Sequence, residues 1–291
     1  MSMQARPVKI VTDSAADLPP ALIRDFDISV IPLLIMIEGQ EYREGVDLNN
    51  EELYQRAAKA RGGASTAFPA PEVFAQAYRR LTGAGYDVVS VHLAAVLSGI
   101  VGAATFATRS EGVPPDRVRV VDSRTGTLAQ GWVVLAAAEA AARGLGLAEV
   151  AAAAEDAAGR SFLYGGVATL EYLIRKGRIG LIPGTVGTLL NIKPIVSVRP
   201  TGEVFVLERV RTEHKLLERL GTLTAAAGPL ERVGVIHAAD PQAAQTLLAL
   251  LEPLPVPRPI PVTPMGAVLG TSVGPGAVGV CGLKRQGSAP G

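Results

Sequence analysis

The sequence predicts a two-domain protein of the α/β class, in which a mostly parallel, Rossmann-like domain precedes an α+β domain. The first half of the chain alternates apolar strand segments with helical segments, a pattern typical of a parallel sheet with helices on both faces. After Gly159 the pattern changes to strand pairs joined by turns, which indicates a mixed or antiparallel sheet. A chain of 291 residues is long enough for two domains. We predict domains at residues 1–158 and 159–285, followed by a flexible tail at residues 286–291.

Apolar segments and helix-start signals define the elements of the first domain. Asp17 precedes two prolines and is predicted to cap the first helix, since a carboxylate accepts N–H groups there and proline suits the first turn. The predicted strands are residues 8–14, 28–37, 86–93 and 118–123. The predicted helices are residues 17–26, 50–60, 69–85 and 97–111, followed by two alanine-rich helices before Gly159.

The second domain begins with a predicted strand at 162–170 and a short basic helix or turn at 171–180. A Pro-Thr-Gly turn at residues 200–202 separates two β-rich segments and predicts a hairpin. A helix, a strand and another helix are predicted to follow. Residues 259–283 are predicted to form two short strands around a loop rich in glycine and proline.

Composition excludes several classes of protein. The formal net charge is +1 without a long basic block, so nucleic-acid binding is not expected, because a phosphate backbone demands a basic surface. A single cysteine, Cys281, permits no intrachain disulfide, and the three histidines lack metal-ligand spacing. The N-terminal segment does not look like a signal peptide, so a cytoplasmic protein is expected. The chain is predicted to need no metal and no cofactor.

Two uncharged runs have the length of a membrane span. The first, residues 88–108, divides into a strand-like part and an amphipathic helix. The second, residues 259–283, contains prolines and glycines that would break a helix repeatedly. Neither run is predicted to insert stably into a membrane.

Three polar clusters follow predicted strands, where ligands of open α/β sheets bind. They are Thr12-Asp13-Ser14, the turn around Ser98, and Asp122-Ser123, and the segment Ser65-Thr66 could approach them. Ser98 stands at the start of a helix, where a serine commonly caps by accepting a backbone N–H. Alternatively, its hydroxyl and the N–H groups of the helix could bind an anion, with Gly99 leaving room for a ligand. The two interpretations are partly compatible.

Other features leave alternatives open. Arg175, Lys176 and Arg178 form either a solvated basic face or a contact for a carboxylate, a phosphate or a partner. The two strand ends Asp13 and Asp122 could bind a metal or simply stabilise turns. The segment 270–280 is either a tight structural turn or a close approach of backbone to ligand.

Several segments follow one another in a characteristic order and spacing, among them VKIVTDSAADLP, STAFPAPEVFAQAY, VSVHLAAVLSGI, TLEYLIRKGRIG and GTSVGPGAVGV. Together they resemble the DegV family over residues 8–283. The resemblance implies a two-domain α/β fold and a long-chain fatty acid, such as palmitate, in a buried tunnel. It implies the binding subunit of a bacterial fatty acid kinase, which presents the fatty acid carboxylate to a separate ATP-dependent kinase subunit. The product is an acyl phosphate for phospholipid synthesis, and no catalytic residue is expected in this chain.

The resemblance also assigns candidate site residues. The family's two carboxylate-binding hydroxyls fall on Thr66 and Ser98, and its arginines fall on Arg175 and Arg211. Ser272 stands where characterised members often have histidine, in the loop Gly-Thr-His-x-Gly-Pro-Gly. A serine hydroxyl can hydrogen-bond a carboxylate but carries no positive charge. Arg175, Arg211, Ser272 and Gly99 are therefore candidates for contacts with the head group or with the partner.

Two rival functions follow from the residues. One is a stand-alone hydrolase or small-molecule kinase that uses Asp13, Ser14 or Asp122. The other is a fatty acid carrier or sensor without a kinase partner, which the serine at position 272 favours.

Overall fold

The computed structural model of the protein describes residues 6–60, 63–180 and 192–287. The strands, numbered in chain order, are β1 (Val8–Asp13), β2 (Ser29–Ile31), β3 (Leu34–Ile37), β4 (Gln40–Arg43), β5 (Ala64–Ala67), β6 (Asp87–His92), β7 (Val118–Asp122), β8 (Ser161–Gly166), β9 (Lys193–Val198), β10 (Val204–Val210), β11 (Leu230–His237), β12 (Val262–Pro264) and β13 (Val278–Lys284). The helices are α1 (Pro20–Asp25), α2 (Asn50–Lys59), α3 (Pro71–Gly83), α4 (Ile100–Ala107), α5 (Thr127–Ala142), α6 (Leu147–Arg160), α7 (Glu171–Arg175), α8 (Glu213–Ala226), α9 (Pro241–Leu251) and α10 (Ala267–Val273).

A four-stranded parallel sheet with the order β2-β1-β6-β7 forms the centre of the first half. Neighbouring side chains of a strand point to opposite faces, so one strand can be buried on both sides. Ile10 of β1 packs in the core formed with α5 and α6, whereas Val11 packs in the core formed with α3 and α4. Helices therefore cover both faces of the sheet, as the alternating sequence predicts.

The second half contains a six-stranded mixed sheet with the order β10-β9-β8-β13-β11-β12. Its neighbours are antiparallel except for the parallel pair β11 and β12. The predicted hairpin around residues 200–202 joins β9 to β10. Side chains of α8 and α9, such as Leu220 and Leu247, are fully buried against one face of the sheet. The predicted fold class, a parallel α/β half followed by an α+β half, is confirmed.

Two elements depart from the sequence prediction. Residues 28–37 do not form one strand, because Pro32, which lacks an N–H group, separates β2 from β3. β2 joins the parallel sheet, and β3 pairs with β4 and β5 in a small antiparallel sheet that the sequence did not predict. Residues 267–273, predicted as part of a loop, form the helix α10.

The prediction that Asp17 caps α1 is wrong. The helix begins at Pro20, its N-cap residue is Pro19, and no side chain caps it. The Asp17 carboxyl group instead lies buried and contacts the far end of the chain.

Helix α5 connects the two halves. Twelve of its sixteen residues are buried, since it packs on both large sheets. Trp132 of α5 donates from Nε1 to the carbonyl of Cys281 in β13 at 3.2 Å. The chain passes from α6 into β8 at Arg160–Ser161, close to the predicted boundary at residue 158, but one hydrophobic core extends across it. The division at residues 158 and 159 stays a prediction, and the predicted tail lies outside the described residues from 288 onward.

Within the described residues, no helix combines the length and the apolar character needed to cross a bilayer.

Candidate functional site

A cavity of about 270 Å³, here called the central cavity, lies where the carboxyl ends of the parallel strands face the six-stranded sheet. One wall comes from the end of β5 and from residues that follow β5, β6 and β7, and the opposite wall includes Leu163, Val198 and Val204. Most of the described wall is apolar. The side chains with polar groups in it are those of Thr66, Ser98, Thr127, Arg178 and Ser272.

Thr66 reaches the cavity from β5. It pairs with the fully buried Ile35 of β3, and strand alternation turns Thr66 inward while Ser65 and Ala67 are exposed. Among the residues that the structure describes, the Thr66 hydroxyl has no hydrogen-bond partner. A half-buried hydroxyl of this kind can donate its proton to a ligand in the cavity.

Ser98 lies in the turn that precedes α4. The N-cap position of α4 is Gly99, which makes no side-chain cap, so Ser98 is not the N-cap residue. The Ser98 Oγ does accept the backbone N–H of Ile100, the first residue of the helix, at 3.3 Å. A hydroxyl that accepts one bond can still donate its own proton, and no described residue accepts it. Ser98 therefore stabilises the start of α4 and offers a donor to the cavity, and Gly99 beside it also lines the wall.

Ser272 lies on α10 and also lines the cavity. Its Oγ donates to the carbonyl of Val268 one turn earlier, at 3.0 Å. A bound carboxylate accepts hydrogen bonds and so needs donors. The Ser272 hydroxyl does not offer its proton to such a ligand, because it donates that proton within its own helix. Gly274 follows with a φ of 87°, and the ring of Tyr172 occupies the place of a side chain there. At Gly270 the side chain of Tyr54 occupies the same kind of space, so the close approaches at these two glycines are to tyrosine side chains of this chain.

The predicted arginines lie outside the described wall of the cavity. Arg175 is exposed and stacks on Tyr172 with 5.6 Å between the guanidinium carbon and the ring centroid. Arg211 is exposed beyond the end of β10. Gly177, with a φ of 66°, turns the chain after α7, and this turn brings Arg178 to the cavity. Of the basic cluster named from the sequence, Arg178 is therefore the member that lies in the described cavity wall.

Lys176 connects α7 to the strand that carries Thr66. Its Nζ donates to the carbonyl of Ala64 at the start of β5. Burial of the ammonium group, together with the nearby charges of Arg178 and Arg175, lowers the pKa of Lys176. This residue contributes to the position of the cavity wall as well as to the basic surface.

Two buried carboxyl groups hold the cavity wall in place. Asp17 accepts the backbone N–H of Gly266 at 2.8 Å and the hydroxyl of Thr127 at 2.7 Å. Glu44 accepts the backbone N–H of Val268 at 2.7 Å and the hydroxyl of Ser14. These bonds fix the start of α10 and the start of α5. Thr127 has a φ of 49°, a strained conformation for a β-branched residue that its bond to Asp17 helps to maintain.

Burial raises the pKa of Asp17 well above its ordinary range, and the neighbouring Glu44 and Asp13 charges add to the effect. An acid with a raised pKa in the folded state contributes stability below its ordinary pKa, and that contribution is lost as the pH rises through the raised value. The advantage of wild type over Asp17→Asn in unfolding free energy is therefore expected to shrink as the pH rises from about 4 to about 8. Urea unfolding of both proteins across this range measures it.

Asp47→Asn provides the control, because hydrogen bonds from Arg43 lower the pKa of this exposed carboxyl group. The contribution of the Asp47 carboxylate to stability is lost only as the pH falls through its lowered pKa. The difference in unfolding free energy between wild type and Asp47→Asn should therefore stay constant above about pH 5. If the difference in unfolding free energy between wild type and Asp17→Asn were equally constant, it would contradict a raised pKa for Asp17.

The residues of the enzyme rival are occupied in structural contacts. Asp13 accepts four bonds, from the backbone of Ala15 and Leu93, from Gln130 and from His92 Nδ1. Ser14 donates to Glu44, and Asp122 Oδ1 accepts the N–H groups of Ala95 and Arg124. None of the three belongs to the described cavity wall. The geometry gives the enzyme rival no support.

Comparisons with known proteins agree with this architecture. The profile of the DegV family, described as "Uncharacterised protein, DegV family", matches residues 7–285. A DegV domain-containing protein of Streptomyces coelicolor is 39% identical, over 97% of this chain and all of the relative. A solved structure from Thermus thermophilus, described as fatty acid binding of a DegV family protein, is 33% identical with a TM-score of 0.86, covering 96% of this chain and 100% of that one. DegV of Bacillus subtilis, described as a fatty acid binding protein, is 29% identical with a TM-score of 0.82, covering 97% and 100%. The chain belongs to the DegV family.

Proposed function

We propose that this protein binds a long-chain fatty acid in the central cavity, with Thr66 and Ser98 holding the carboxylate. The observation that carries the proposal is a pair of hydroxyls whose protons no described residue accepts, facing a described wall that is otherwise largely apolar. Two solved relatives described as fatty acid binding support it. The N-terminus of α4, next to Ser98, adds a partial positive charge that favours a bound anion.

The apolar wall suits the tail of the ligand. Burial of each methylene contributes roughly 0.8 kcal/mol, so the tail supplies most of the affinity before entropy costs. The hydroxyls orient the head group, because hydrogen bonds to a charged group contribute about 1.5–3 kcal/mol.

We further propose that the bound carboxylate is presented to a separate ATP-dependent kinase subunit. A carboxylate oxygen attacks the γ-phosphate of ATP on that subunit, ADP leaves, and an acyl phosphate for phospholipid synthesis is formed. In this reaction the fatty acid is the nucleophile, so this chain contributes position and no catalytic side chain. Arg175 and Arg211, exposed outside the cavity wall, are candidates for contacts with that subunit.

The second candidate function is a fatty acid carrier or sensor without a kinase partner. The observation that favours it is Ser272, whose hydroxyl proton is used within α10 and whose side chain carries no positive charge. Incubation of the loaded protein with a fatty acid kinase subunit and ATP separates the two functions. Acyl phosphate formation supports the kinase role, and its absence with a subunit active on another binding protein supports the carrier role.

The binding proposal is tested by mass spectrometry of organic extracts from the purified protein. We expect a stoichiometric fatty acid of about 14 to 18 carbons, given the affinity of such tails.

Ser98→Ala is expected to bind palmitate at least about tenfold more weakly, since one charge-assisted hydrogen bond is lost. Ser110→Ala, a serine outside the described cavity wall, is the matched control and should bind like wild type. If neither extracted nor added fatty acid binds to wild type, the proposed function is wrong.

A further inference from the structure

Phe68 has an unusual position at the head-group end of the central cavity. It follows β5, two residues after Thr66, and its side chain belongs to the cavity wall. At the same time it is 42% exposed. Phe68 therefore borders both the cavity and the solvent at this point.

The ring of Phe68 closes against Gly99. An ideal Cβ on Gly99 would lie 2.6 Å from both Cε1 and Cζ of the ring, closer than real Cβ atoms approach. Gly99 has a φ of −71°, which any residue adopts, so the backbone does not require glycine here. What requires glycine is the space that the ring occupies, next to the Ser98 hydroxyl.

We propose that Phe68 is an aromatic gate over the fatty acid head group, an inference that rests on the proposed function. With the ring against Gly99, the side chain of Phe68 lies between the solvent and the carboxylate held by Thr66 and Ser98. The half-exposed ring must move aside for the head group to meet another protein or for the ligand to leave. Phe68 is thus a positioning residue that sets the rates of ligand exchange.

The gate is tested by the rate at which tritiated palmitate leaves the loaded protein into excess albumin. Phe68→Ala is expected to speed both dissociation and association by about tenfold or more, the effect of lowering a barrier by ~1.4 kcal/mol. Because a gate affects entry and exit alike, the dissociation constant should change much less than either rate. Phe106→Ala, an exposed phenylalanine of α4 outside the described cavity wall, should exchange at the wild-type rate.

Gly99→Ala gives an independent test, because its methyl group displaces the ring while leaving the Phe68 side chain present. We expect Gly99→Ala to exchange palmitate as fast as Phe68→Ala. In the double variant the alanine at position 99 meets no ring, so its rates should equal those of Phe68→Ala alone. Exchange by Phe68→Ala at the rate of Phe106→Ala, or additive effects in the double variant, overturns the gate. Failure of wild type to bind palmitate overturns the proposed function instead.

Discussion

Replacement of Asp13 by alanine is expected to destabilise the protein by roughly 3–5 kcal/mol while leaving palmitate affinity of the folded protein near wild type. The reason is the hydrogen-bond network in which Asp13 lies. Tyr78 donates to Ser90 at 2.9 Å, Ser90 bonds His92 Nε2 at 2.7 Å, and His92 Nδ1 bonds Asp13 at 2.9 Å. The Asp13 and His92 side chains are fully buried. Removal of the carboxyl group leaves buried donors unpaired, and each costs about 1–3 kcal/mol.

The measurement is urea unfolding, with palmitate binding measured in buffer. Asp13→Asn keeps the size of the side chain and one acceptor, so it should cost less, about 1–3 kcal/mol. Asp116→Ala, at an exposed position of the surface turn 115–117, is the matched control and should stay within about 0.5 kcal/mol of wild type. Stability of Asp13→Ala equal to that control would show that the network is not structural. It would also revive the rival in which Asp13 serves chemistry.

The sequence was sufficient for the fold class and for much of the cavity wall. Short, nearly continuous apolar strands such as β1, alternating with helical segments, predict a parallel sheet covered on both faces, because these patterns are local. The family resemblance selected Thr66, Ser98, Gly99 and Ser272, and the structure brings all four to one cavity. Their roles toward a ligand remain proposals.

The sequence was insufficient where contacts between distant residues decide the outcome. Asp17 resembled a helix cap, yet its partner is Gly266, 249 positions later. Glu44 likewise fixes α10 through Val268, so the helix that carries Ser272 depends on groups that no local pattern connects. The sequence placed Arg175 and Arg178 in one basic cluster and could not tell which of them lines the cavity, because the turn at Gly177 decides this.

The largest effect on binding is expected from the length of the ligand tail. If the tail lies along the apolar wall, each added methylene should tighten binding by roughly 0.8 kcal/mol, about fourfold, until the cavity is filled. Between octanoate and tetradecanoate, which differ by six methylenes, the affinity should then rise by about three and a half orders of magnitude. Isothermal titration with saturated acids of even length measures this series and the length at which affinity stops rising.

Leu163→Trp is expected to shorten the chain length at which affinity stops rising. Leu163 lies on β8 with its side chain in the cavity wall, whereas the adjacent Phe162 packs into the opposite core with α8 and α9. A larger side chain at this position takes up cavity space, so affinity should stop rising about two or three methylenes earlier, at a cost of roughly 2 kcal/mol for palmitate. Leu250→Trp, the same change on the surface of α9, should leave the series unchanged.

Ser98→Ala should instead weaken the affinity for fatty acids of every length by one constant factor, because the head group and the tail contribute independently. A series that is flat with chain length would place the tail outside the central cavity and leave only the head-group contacts of the proposal to be tested.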